Sequence, residues 1–158
     1  MGQCLGEALS EISTSCQIDA PPARVWAILT DFARYGDWHT MLRAAEGVPE
    51  TGGVLLITIP VGSMSLRFST TMERCEPEEE LCWTWRMPPL VHAEHYFRLA
   101  PEDGGTLLTH GERFSGLIGW LIPLLGRLKP ATYTRLNAAL KARAEGNYFC
   151  LSTSPSAP

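Results

Sequence analysis

His95-Tyr96-Phe97-Arg98-Leu99-Ala100-Pro101-Glu102-Asp103-Gly104-Gly105-Thr106-Leu107-Leu108-Thr109-His110-Gly111-Glu112-Arg113-Phe114 divides into two alternating segments around a Pro-Glu-Asp-Gly-Gly cluster. That is the pattern of two antiparallel strands joined by a tight turn. Pairing Leu99 with Thr106 sets Phe97 opposite Leu108, His95 opposite His110 and Ala93 opposite Glu112. Side chains alternate between faces along a strand, so all of these share one face, and Phe97, Leu99, Leu108 and Phe114 mark it as the interior. Two histidines and a carboxylate are therefore expected within an otherwise apolar surface. A slip of one residue would bury Arg98 and Arg113 instead, which the hydrophobic pattern argues against.

The surrounding chain bounds what this hairpin belongs to. Its 158 residues suit one domain with one substantial core. An apolar fraction of 45% and a charged fraction of 19% are those of a globular protein. A net charge of −4 with no Lys/Arg cluster argues against a nucleic-acid partner. Cys4, Cys16, Cys75, Cys82 and Cys150 form no Cys-x-x-Cys pair and leave one over in any disulfide scheme, so neither a zinc site nor a disulfide scaffold is expected. Reduced thiols in the cytoplasm fit this usage. The N-terminus lacks the apolar core of a signal peptide, and no apolar run reaches the roughly 18 residues of a membrane span, so no stable membrane insertion is expected. Met1-Gly2-Gln3-Cys4 hints at acylation, but Gly6 stands where the myristoylation pattern has Ser or Thr. Residues 1–10 read as a loose arm.

In chain order, 11–18 alternates with Ile12, Thr14, Cys16 and Ile18 on one face, a first strand with one wet side. Pro21 and Pro22 stop it, and Pro22 suits the first turn of a helix with Val25, Trp26 and Leu29 as its apolar stripe. A second short helix is expected over Phe32-Ala33-Arg34-Tyr35, followed by Gly36, before Asp37-Trp38-His39. Strands resume near Gly53, with Leu66, Phe68, Thr70 and Met72 on one side of one of them. The acidic run from Glu76 to Glu80 reads as a solvated turn. Leu81, Trp83, Trp85 and Met87 then face inward while Cys82, Thr84 and Arg86 face out. From 117 to 144 the period becomes helical, with Ile118, Leu121, Leu125, Leu128, Leu136 and Leu140, and with Pro123 and Pro130 expected to kink or divide the helix. Lys141 and Arg143 in the last turn and Gly146 beyond it mark its end. Residues 147–158, rich in Ser and Pro, read as a disordered tail. Residues 11–146 form the expected single domain.

This order resembles the START/Bet v 1-like (SRPBCC) superfamily, in its polyketide cyclase/dehydrase-like branch. Ile18-Asp19-Ala20-Pro21-Pro22-Ala23-Arg24-Val25-Trp26, Leu29-Thr30-Asp31 and Tyr35-Gly36-Asp37-Trp38 are similar to the family's opening motif. Glu76-Pro77 before Leu81-Cys82-Trp83, Gly105-Thr106 opening a strand, and Glu112-Arg113-Phe114-Ser115-Gly116 before the final helix also fit. The resemblance implies an α+β helix-grip fold: a curved antiparallel sheet of about six to seven strands wrapped around a long C-terminal helix, with two short helices after the first strand, enclosing an apolar cavity. Pro130 departs from it, falling where the helix is usually continuous, and the tail is additional.

In that fold Phe68, Thr70, Met72, Trp83, Trp85, Met87, His95, Phe97, Leu108, His110 and Glu112 line the cavity, with Trp38 and His39 near its mouth and Tyr133 and Asn137 on the helix. Such a lining suits a hydrophobic, ring-containing or lipid-like ligand. His95, His110 and Glu112 are the catalytic candidates. Paired imidazoles disfavour each other's protonation and a carboxylate favours it, an arrangement that supports one base and one acid near neutral pH. The family resemblance implies neither a metal nor another cofactor, and no fourth metal ligand is evident. The expected activity is that of a cyclase, dehydratase or isomerase of polyketide-like intermediates in a monomer or homodimer. The alternatives are a ligand carrier, in which His110 and Glu112 only satisfy each other, and a chaperone-activator-type interaction module. His92, Arg67 and Arg86 have outward parity and read as surface groups.

Overall fold

Ser10–Ile18 forms β1, with Ile12 and Ile18 buried as the alternation requires. In the computed structural model, which describes residues 10–121 and 129–146, Pro22 then starts α1 (Pro22–Thr30), which buries Val25 and Leu29. A 3₁₀ turn (Phe32–Arg34) leads into the four-residue α2 (Tyr35–Trp38). The strands β2 (Ala44–Gly47), β3 (Val54–Val61), β4 (Met64–Glu76), β5 (Glu80–Met87), β6 (Val91–Glu102) and β7 (Gly105–Ser115) follow. All pairs are antiparallel, and the seven-stranded sheet runs β1-β7-β6-β5-β4-β3-β2. The strand order closes chain start against chain end, placing β1 beside the last strand. Between Met72 and Arg74 the register with β5 shifts, a bulge of the kind that bends a sheet.

The hairpin of β6 and β7 keeps the expected face but not the expected register. Glu102 pairs with Gly105, Leu99 with Leu108, Phe97 with His110 and His95 with Glu112, two residues away from the pairing of Leu99 with Thr106. Asp103 and Gly104, at φ 48° and 79°, form a two-residue turn. Positive φ at both central positions matches the twist of the flanking strands, so the chain turns on Asp-Gly and Pro101 and Glu102 extend the strand. Because the slip is two residues rather than one, every side chain stays on its side.

The helical stretch expected over 117–144 is shorter in the structure. Gly119–Leu121 is a 3₁₀ turn, and α3 spans Pro130–Ala144. Pro130 lies in the first turn of α3, where its missing N–H costs nothing, instead of interrupting a helix. Pro123, Leu125 and Leu128 lie outside the described residues, as do 1–9 and the tail. Helix α3 packs Leu136, Leu140 and Ala144 into the core with Val25, Leu29, Leu81, Phe97 and Leu108. Its far end is tied to the end of β1 and the residue after it: Lys141 Nζ donates to the Gln17 carbonyl at 2.6 Å, and the Asp19 N–H donates to Oε1 of Glu145, the residue just past the helix, at 2.8 Å.

On the outer face Cys82 and Thr84 are buried despite outward parity. Long charged side chains cover them. Arg74 pairs with Glu80 and Glu94, Arg98 with Glu80, Arg113 with Glu94 and Glu11, and Arg86 with Glu73. Glu80, expected in a solvated turn, is thus held by two arginines. Arg98 and Arg113 also lie over the Tyr96 ring at 4.6 and 4.8 Å from its centre. Gly111, opposite Tyr96, allows this layer to lie flat, because a Cβ there would come within 2.3 Å of the Ile12 oxygen and 2.6 Å of the Tyr96 hydroxyl.

Candidate functional site

Between the inner face of the sheet and the loop after α2 lies a cavity of about 560 Å³. Its apolar wall includes Ile57, Ile59, Phe68, Trp83, Trp85 and Phe114; among its lining residues only His95 and Glu112 ionise. This size is within the range of drug-sized ligand sites. Phe68 meets Trp85 edge-on, and Trp83 stacks on the His95 imidazole at 4.7 Å. The aromatic wall thereby fixes the plane of the histidine ring.

From β1 and α3 to the cavity wall the polar groups stand in series. Thr14 on β1 donates its hydroxyl to the His110 carbonyl at 3.2 Å, and Asn137 Nδ2 on α3 donates to Thr14 Oγ1 at 3.0 Å. Asn137 Oδ1 is 2.7 Å from His110 Nδ1, and His110 Nε2 is 3.1 Å from His95 Nε2. His95 Nδ1 lies 3.6 Å from Glu112 Oε2, which accepts the Tyr133 hydroxyl at 2.5 Å. Burial, and then the neighbouring His95, hold the His110 imidazole well below the usual histidine range, so it is neutral. Burial and Glu112 push the Tyr133 phenol up, which keeps it a donor to the carboxylate.

The structure separates the three catalytic candidates. His95 and Glu112 line the cavity, whereas His110 is fully buried behind them, bonded to Asn137 and stacked on Phe97. Of the expected ligand contacts, Phe68, Thr70, Trp83 and Trp85 line the cavity. Met72, Phe97 and Leu108 point the same way but are fully buried in the core. Met87 is exposed at the end of β5. Tyr133 and Asn137 are also buried and serve Glu112 and His110. Trp38 lines a separate groove of about 380 Å³ with Arg24, Arg34 and Arg143. His39 braces the cavity from outside its lining: its Nδ1 accepts the N–H groups of Met41 at 3.3 Å and Leu42 at 3.0 Å, both of which do line it. That arrangement requires the unprotonated nitrogen at Nδ1, and burial followed by His95 depresses the His39 pKa.

Strand parity did not reveal the contribution of Thr40, Met41 and Leu42, since a loop has no period to read. The one signal for them was His39, whose short polar reach suits a loop brace. His92 keeps its outward parity beside Ser115, and Arg67 and Arg86 pair with Glu46 and Glu73 on the exposed face. Among the described residues no three His, Cys, Asp or Glu side chains are arranged to hold a metal, and no helix is long and apolar enough to cross a membrane.

A curved antiparallel sheet closed by a C-terminal helix over an apolar cavity is the helix-grip architecture of START-like SRPBCC proteins. Residues 10–145 match the family described as polyketide cyclase/dehydrase and lipid transport, and the chain belongs to it. A START superfamily protein from Mycobacterium smegmatis superposes with a TM-score of 0.68 at 18% identity, over 87% of this chain and 98% of that one. Norcoclaurine synthase from Thalictrum flavum, as a point mutant with a transition-state analogue, gives 0.66 at 9% identity over 87% and 95%. The di-domain ARO/CYC StfQ of the steffimycin biosynthetic pathway gives 0.66 at 10% identity; the match covers 87% of this chain and about half, 51%, of that one. At these identities the likeness is one of fold. No curated protein matches the sequence.

Proposed function

We propose that the protein binds a hydrophobic, ring-containing or lipid-like molecule in the 560 Å³ cavity and acts on it as a cofactor-independent cyclase, dehydratase or isomerase of polyketide-like intermediates. The observation that carries this reading is the pairing of His95 with Glu112 as the ionisable groups of a lining that is otherwise apolar apart from Thr40, Thr70 and Thr132. Each reaction class starts from transfer of a proton at a carbon next to a carbonyl or double bond. A base held on an aromatic wall, with a carboxylate 3.6 Å away, is suited to that step. The carboxylate attracts the imidazolium more than the imidazole, so the interaction strengthens as the proton arrives. His110 does not reach the cavity; its role is to hold His95.

A carrier without chemistry is the second reading, favoured by one observation: His110 and Tyr133 already occupy the inner side of His95 and one oxygen of Glu112. The experiment that separates them begins with mass spectrometry of the molecule extracted from the purified protein. Incubated with that molecule, the wild type is expected to turn it over, and His95→Gln to bind it without turnover. Equal behaviour of the two proteins, each binding without chemical change, establishes the carrier.

A further inference from the structure

We infer that Thr14 and Asn137 set the direction of the hydrogen bonds through the buried histidine pair and thereby make Nδ1 the basic atom of His95. The chain starts at Thr14, whose hydroxyl has one hydrogen, directed to the His110 carbonyl at 3.2 Å. Its oxygen is left to accept Asn137 Nδ2 at 3.0 Å. That turns the amide oxygen toward His110 Nδ1, 2.7 Å away, and an oxygen without a proton requires an N–H there. A neutral imidazole protonated at Nδ1 carries its lone pair at Nε2. The 3.1 Å contact between the two Nε2 atoms is then a hydrogen bond only if His95 is the donor. His95 therefore carries its proton on Nε2 and its lone pair on Nδ1, the nitrogen on the Glu112 side.

The opposite direction is chemically complete, which is why Thr14 matters. With the Asn137 nitrogen facing His110, the protons would sit on His110 Nε2 and His95 Nδ1, and no lone pair would face Glu112. Thr14 would then have to donate to the Asn137 oxygen and give up the His110 carbonyl. The Thr14 bond to the His110 carbonyl decides between them, since at 3.6 Å from Glu112 a proton on His95 Nδ1 would make no hydrogen bond in exchange. Thr14 and Asn137 lie outside the cavity lining and are positioning residues acting through His110.

The use made of the lone pair rests on the catalytic reading above; the position of the proton does not. In that chemistry the C–H proton of an enolisable carbonyl compound passes to Nδ1 and the bonding pair moves into the carbonyl as an enolate. The resulting imidazolium faces the Glu112 carboxylate. When the carbon is reprotonated, the same nitrogen gives the proton back, so no oxidant or co-reactant is needed.

The test is nitrogen-15 NMR of the full chain with labelled histidine, free of ligand and at a pH where the imidazoles are neutral, with signals assigned through His95→Gln and His110→Gln. The unprotonated nitrogens are expected to be Nδ1 in His95 and Nε2 in His110; a His95 protonated on Nδ1 overturns the inference. Thr14→Val keeps the side-chain shape without the hydroxyl and is expected to move the ratio of the two directions about fivefold toward the reverse, the equivalent of one hydrogen bond of about 1 kcal/mol. Thr14→Ser restores the original ratio. A ratio unchanged in Thr14→Val removes the part assigned to Thr14. Since no ligand is present, a pure carrier gives the same spectra, and a failure here is distinct from a failure of the catalytic reading.

Discussion

The two histidines have the same parity and opposite surroundings. His95 lines the cavity and stacks on Trp83, while His110 is sealed between Phe97 and α3. Alternation identified their common face, but depth below that face is decided by what α3 lays over each strand position, and that is not written in the strand. His95→Gln and Glu112→Gln are each expected to lower turnover by about 10²–10⁴-fold, the usual share of a positioned acid or base, while ligand retention stays near that of the wild type. Steady-state kinetics beside extraction of bound ligand checks both parts. The depressed pKa values of His39 and His110 also predict a pH dependence of folding. Below the ordinary histidine value of 6.5 the unfolded chain takes up protons that these buried rings do not, so stability falls as pH drops through that value. Thermal melting from neutral to mildly acid pH is expected to show this slope, and His110→Phe to flatten it; an unchanged slope in the variant contradicts the assignment.

At the scale of elements, the hairpin of β6 and β7 was legible in face and not in register. Its turn uses Asp103 and Gly104 alone. Gly104→Ala places a Cβ on a residue at φ 79°, and is expected to destabilise by about 1 kcal/mol in urea denaturation. Gly111→Ala is expected to be worse, about 1–3 kcal/mol as for other overpacked sites, because backbone oxygen and the Tyr96 ring both stand in the way. Equal midpoints for the two variants would contradict the close approach of β1 and Tyr96. Strand β2, with the sequence Ala-Ala-Glu-Gly, has no alternation to betray it; it exists because it pairs with the edge of β3. Helix α3 was anticipated by its Leu136 and Leu140 spacing and by Lys141 and Arg143 at its end. Its start was not, because a proline reads equally as an interruption or as a first-turn residue until the flanking chain is placed.

For the whole molecule, the antiparallel sheet and its C-terminal helix were readable because the two sides of the strands differ, apolar toward α3 and polar outside, whereas the strand order had no signal in the sequence. The burial of Cys82 under the outer ionic layer was not readable either, since parity says only that it points outward. Burial, with Glu94 next, pushes its thiol up to about 12, so Cys82 is expected to resist alkylation in the folded protein and react once denatured, as mass spectrometry reads directly. The cavity itself follows from sheet curvature and from the loop that His39 pins across it, features of the assembled chain. The proposed chemistry requires a proton to move inside that cavity. The compound extracted from the protein is incubated with it in deuterated water, and deuterium in the compound or its product is measured by mass spectrometry. Incorporation at carbon with the wild type, and none with a His95→Gln protein that still holds the compound, is the predicted result. A wild type that binds the compound and leaves it free of carbon-bound deuterium contradicts it.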